Sequence, residues 1–122
     1  MPDGGYRDLI VWQKARALVR EVYGASDRWP SSEQFGLTAQ VRRCAVSVPS
    51  NIAEGKGRSG AKPYAYHLSV AHGSLWELET QLFLAHDLGF LDGDNLENLI
   101  SLSSEIGRML RSMIQTLESQ RR

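Results

Sequence analysis

Tyr64, Leu68, Ala71, Leu75, Leu78, Leu82 and Ala85 follow one another at alternating spacings of four and three. Nothing interrupts the pattern over more than twenty residues. Such spacing places every one of these side chains on one stripe of a helix, and such a stripe needs other helices to cover it. Three further segments show related periodicity. Residues 9–27 carry Trp12, Ala15, Val19 and Val22, with Val11 and Leu18 beside them. Residues 32–53 carry Phe35, Leu37, Val41, Ala45, Val48 and Ile52, and residues 94–118 carry Leu96, Leu99, Ile106, Leu110, Met113 and Leu117. With the first stripe assigned to residues 62–88, the chain reads as four helices with short breaks between them. Short connections favour antiparallel neighbours, so the expectation is an all-α, up-down-up-down four-helix bundle forming a single domain over residues 1–122.

The breaks have recognisable chemistry. Trp29-Pro30 ends the first segment, because a residue before proline avoids the α region. Ser31 with Gln34 has the form of a capping box, and Asp94 with Glu97 stands where the fourth helix starts. Residues 55–60 contain three glycines and read as a flexible turn. Gly89 is placed as a C-terminal cap, and residues 119–122 form a tail expected to fray. Gly107 lies inside the fourth helix and marks an expected close helix approach.

Fourteen basic residues balance fourteen acidic ones, so no global field draws the chain to nucleic acid or anionic membrane. Any nucleic-acid contact must come from a local patch, or from a patch repeated by self-assembly. The single cysteine excludes an internal disulfide and fits a reducing compartment. The first residues, Met1-Pro2-Asp3-Gly4-Gly5, lack a signal-peptide pattern, and no apolar run is long enough to span a bilayer. A cytoplasmic protein without a membrane partner is expected.

A second pattern runs through the second helix. Gln40, Cys44, Ser47, Asn51 and Glu54 also alternate four and three, beside an internal proline, Pro49. Ser74, Glu77 and Gln81 form a comparable polar line on the third helix. Antiparallel packing would set Asn51 and Glu54 opposite Ser74 and Glu77. Gln40, Ser47, Asn51, Glu54, Ser74 and Glu77 then read as a polar network fixing helix register. Contact with a ligand or a second subunit, and an acid/base pair, are the other readings of the same residues. His67 and His72 are five apart, which does not put two ligands on one helix face, so no metal site and no cofactor are expected. Cys44 reads as a packed thiol, and no catalytic residues are assigned.

Two surface features remain. Arg42, Arg43, Lys56, Arg58 and Lys62 are assigned to one edge around the turn between the second and third helices, where they would hold phosphates. Tyr64 and Tyr66 are the only aromatics interleaved with them. Trp76 and Phe83 are seven apart, about 100° around the helix from the leucine stripe, and are assigned to a subunit interface.

These residues also carry a family likeness. The marks are Tyr6-Arg7-Asp8-Leu9-x-Val11-Trp12-Gln13-Lys14-Ala15, then Trp29-Pro30-x-x-Glu33-x-Phe35-Gly36-Leu37. Gln40-Val41-Arg42-Arg43-x-Ala45-Val46-Ser47-Val48-Pro49-Ser50-Asn51-Ile52-Ala53-Glu54-Gly55 follows. Ala71-x-Gly73-Ser74-Leu75-x-Glu77-Leu78-Glu79 and Leu88-Gly89-Phe90-Leu91 complete the set. In these the chain resembles the bacterial four-helix bundle proteins encoded in intervening sequences of 23S ribosomal RNA genes. The resemblance implies a homo-oligomeric ring, commonly a homopentamer, with no catalytic activity to carry over. It also implies likeness to the accessory proteins of diversity-generating retroelements, which are pentameric, basic and bind nucleic acid with a reverse transcriptase. The present chain departs from those in its balanced charge. Expected partners are therefore further copies of itself, RNA or DNA, or a reverse transcriptase-like enzyme. A protein-binding adaptor without nucleic acid is the alternative.

Overall fold

A computed structural model describes residues 5–120; residues 1–4 and the last two of the expected fraying tail lie outside it. After a 3-10 turn at Tyr6–Asp8 come α1 (Ile10–Ser26), a second 3-10 turn at Ser31–Glu33, α2 (Leu37–Gly57), α3 (Ala61–Asp87) and α4 (Gly93–Gln120). The protein is an all-α four-helix bundle. Helix α1 packs on α2 and α4, and α3 packs on α2 and α4, so the four surround one core without backbone contact across the diagonals.

The core follows the sequence stripes, with one rotation. Val11, Ala15, Leu18 and Val22 are the buried apolar residues of α1, while Trp12 and Val19 are only partly buried beside them. The stripe centre therefore lies one position around the helix from the expected one. Val41, Ala45, Val48 and Ile52 come from α2, and Leu68 through Ala85 of the third stripe from α3. Leu96, Leu99, Ile106 and Leu110 complete the core from α4. Trp29 and Leu91 close one end, where the Trp29 ring stands 6.2 Å from that of Phe90. Phe35 is not core: it precedes α2 and is 89 % exposed.

The helix ends depart from expectation for local reasons. Helix α2 begins at Leu37 rather than residue 32, because residues 31–33 close a tighter 3-10 turn and Gly36 leaves helical geometry. Its first amide is satisfied by Glu33, whose Oε1 accepts from Leu37 N at 3.1 Å; Ser31 makes no side-chain cap. At the other end α2 continues through Gly55 to Gly57, and the turn is only residues 58–60, with Gly60 at φ +94°. Pro63 sits in the first turn of α3, where its missing N–H removes no internal bond. Helix α3 ends as expected at Gly89, φ +82°, with Phe90 N donating to Ala85 O and Gly89 N to His86 O. That pair of bonds is the Schellman arrangement. Helix α4 is capped by Asp92, not Asp94: its Oδ1 accepts from Asn95 N at 2.8 Å. The same amide holds the Asp92 carboxyl below its usual range.

Among the described residues, no helix is long and apolar enough to cross a membrane.

Candidate nucleic-acid interface

The five cations assigned to one edge occupy two places. Because α2 extends to Gly57, Arg42 and Lys56 lie on the same helix about 21 Å apart at 1.5 Å per residue. Arg42 faces the end of α1. Its Nε donates to Ser26 Oγ at 2.9 Å, its guanidinium lies 4.5 Å from the Tyr23 ring centre, and Ser26 Oγ donates to Val22 O at 2.7 Å. A cation there complements the negative end of the α1 dipole. Arg42 is thus an anchor between α1 and α2. Arg43 is exposed and has no ion pair among the described residues. The second group sits at the α2–α3 turn. Lys56 lies 5.8 Å from the Tyr64 ring centre, and Arg58 pairs with Glu54 at 2.6 Å. Lys62 is exposed and makes no ion pair among the described residues. Arg43, Arg58 and Lys62 are therefore the cations turned to solvent.

The polar stripe of α2 lies along its seam with α3, in antiparallel pairs. Gln81 Nε2 donates to Gln40 Oε1 at 3.5 Å, a weak bond, and Ser47 and Ser74 share one at 2.9 Å. Asn51 Nδ2 donates to Ser47 O and Oγ at 2.9 and 3.1 Å, and its Oδ1 accepts from His67 Nδ1 at 3.2 Å. Asn51 and His67 stand equally far along the chain from Ser59, at the centre of the short turn. That turn sets His67, not Ser74, opposite Asn51, and Glu54 does not enter the network. Glu54 is exposed, and hydrogen bonding to Arg58 holds its carboxyl below the usual range. Glu77 is exposed too and lies near Cys44. Burial and the Glu77 charge push the Cys44 thiol up, the wrong direction for a nucleophile. His67 was not assigned to the network from sequence; its spacing of seven from Ser74, and of fourteen from Gln81, is the signal that marks it.

Helix α3 meets α4 through a second polar contact absent from the sequence reading: Ser103 Oγ donates to Glu79 Oε2 at 2.6 Å. Gly107 faces His72, whose Nε2 would stand at an ordinary 3.5 Å from an added methyl, so the approach there is not tight. Burial, then the Arg111 charge, lowers the His72 pKa from its usual 6.5, against the opposing pull of Glu79. The folded state therefore binds this proton less readily than the unfolded chain, and stability is lost as pH falls through 6.5 toward the lower folded value. We expect the thermal midpoint to decline between pH 7.5 and 5.5, and His72→Gln to flatten that decline. Parallel curves for both proteins would refute the assignment.

The outer face of α3 is apolar and uncovered. Trp76 is 60 % exposed and Phe83 49 %, with Tyr66 and Leu84 also exposed, and Leu88 just past the helix end. Trp76 touches only the edge of the α3–α4 junction, its ring 4.7 Å from that of His72. Among the described residues no group of three or more His, Cys, Asp or Glu is placed to hold a metal ion.

Comparison with curated proteins gives no match. The sequence profile described as 23S rRNA-intervening sequence protein matches residues 7–112, a span that includes all of α1, α2 and α3 and most of α4. Extending across the bundle from the first turn to the last third of α4, that match shows that the chain belongs to the 23S rRNA-intervening sequence protein family.

Proposed function

We propose that this protein is a non-enzymatic homo-oligomeric scaffold, a ring of five copies, that binds nucleic acid or an enzyme acting on it in the cytoplasm. The observation that carries this reading is the uncovered apolar face of α3, with Trp76 and Phe83 exposed beside a complete core. A four-helix bundle with its core filled has no internal use for two large aromatics in solvent, whereas a second copy does. The family's tie to 23S ribosomal RNA genes supports an RNA-related role. In the ring, Arg43, Arg58 and Lys62 would be repeated, and linked weak phosphate contacts act together. Arg42 and Lys56 serve mainly to pack, so they contribute less than their charge suggests.

The test has two parts. Trp76→Glu with Phe83→Glu should give smaller particles in sedimentation velocity while keeping helical circular dichroism; an unchanged mass would count against the ring. Labelled single-stranded RNA and DNA should bind the intact protein at about 50 mM salt and dissociate steeply as salt rises. Arg43→Glu, Arg58→Glu and Lys62→Glu together should abolish binding and leave assembly intact. Absence of binding by the intact protein would favour the protein-adaptor alternative.

A further inference from the structure

The bundle brings together a group of side chains that the sequence separates. Tyr23 at the end of α1 and Phe35, Thr38, Arg42, Arg43 and Val46 around the start of α2 line one groove of about 690 Å³. That size is within the roughly 300–1,000 Å³ of small-ligand sites. Two observations specify its occupant. Phe35, outside the core and 89 % exposed, presents an aromatic ring to solvent, and the Tyr23 ring beside it is held by the Arg42 guanidinium. Two guanidinium groups line the groove and no carboxylate does, although the chain as a whole is neutral.

An exposed aromatic face with an unopposed cation beside it meets the requirements of a nucleotide in a single strand. We propose that this groove takes one unstacked base of single-stranded nucleic acid. Its ring stacks on Phe35, and an adjoining phosphate pairs with Arg43. The proposal rests on the nucleic-acid reading above and places its main contact at the α1–α2 end, away from the α2–α3 turn. It also leaves Trp76 and Phe83 free for self-association.

The experiment is fluorescence anisotropy of labelled oligouridine and oligodeoxythymidine with the full chain. Phe35→Ala should weaken binding roughly 5- to 150-fold, the range found for losing one stacked base. Phe35→Trp should restore it, because the stacking face is retained. Arg43→Ala should lower the log–log salt slope by about 0.7, one phosphate contact on a single strand. Failure of the intact protein to bind either oligomer would overturn this proposal together with the nucleic-acid reading. Binding that is unaltered by Phe35→Ala and Arg43→Ala would overturn the groove alone. Loss of assembly in sedimentation on Phe35→Ala would also overturn it, by making the groove a contact between copies.

Discussion

Gly55→Ala should lower the thermal midpoint, against the intrinsic preference of a helix for alanine. The gain from propensity is about 1 kcal/mol. Opposing it, a methyl at Gly55 would lie 2.8 Å from His67 Cβ, 3.1 Å from Tyr64 Cδ1 and 3.2 Å from the Tyr64 carbonyl oxygen. The first and last of these belong to or adjoin the α3 backbone and cannot swing aside. Overpacking of this kind costs about 1–3 kcal/mol. A net loss of up to about 2 kcal/mol remains, lowering the midpoint by up to roughly 10 °C for a domain of this size. Gly24→Ala is the matched control: the site is in α1 and nothing lies within 4 Å of the added methyl. There propensity acts alone and the midpoint should rise. Calorimetry of both variants decides the matter, and a rise for Gly55→Ala would contradict the close approach of α2 and α3.

Asn51→Leu should cost about 1–3 kcal/mol, because partly buried hydrogen-bond partners are left unmatched. Asn51 links Ser47 on its own helix to His67 on α3, so its loss frees groups on both. Glu54→Ala, one turn along, should leave the midpoint where it was. Its carboxylate is exposed and bonded to Arg58, and exposed pairs of this type contribute little. From the stripe alone the two residues looked equivalent. Denaturant titration of both variants separates them: equal losses would mean that Glu54 belongs to the network after all, and no loss at Asn51 would remove the network as a determinant of register.

The sequence by itself determined the class of fold and most of the core, because a four–three apolar spacing has one economical outcome: a buried stripe on a helix among helices. It also determined the α3 terminus, since Gly89 and its neighbours form a purely local cap. The family likeness was legible for the same reason that the polar stripe was, as residues in fixed order. Other features were decided only in three dimensions. Gly55 and Gly57 suggested a break, yet α2 passes through both, because the buried Gly55 lets α3 approach. That extension carried Arg42 and Arg43 about four turns from Lys56 and divided the expected cluster of cations. The packing of α1 on α2 brought Arg42 to Tyr23, and Phe35 and Arg43 line one groove there, neighbours that no local pattern assigns to these arginines. Periodicity reports which face of a helix is buried; where two helices touch, and so which surface groups become neighbours, depends on closest approach between backbones, which is a property of the packed bundle.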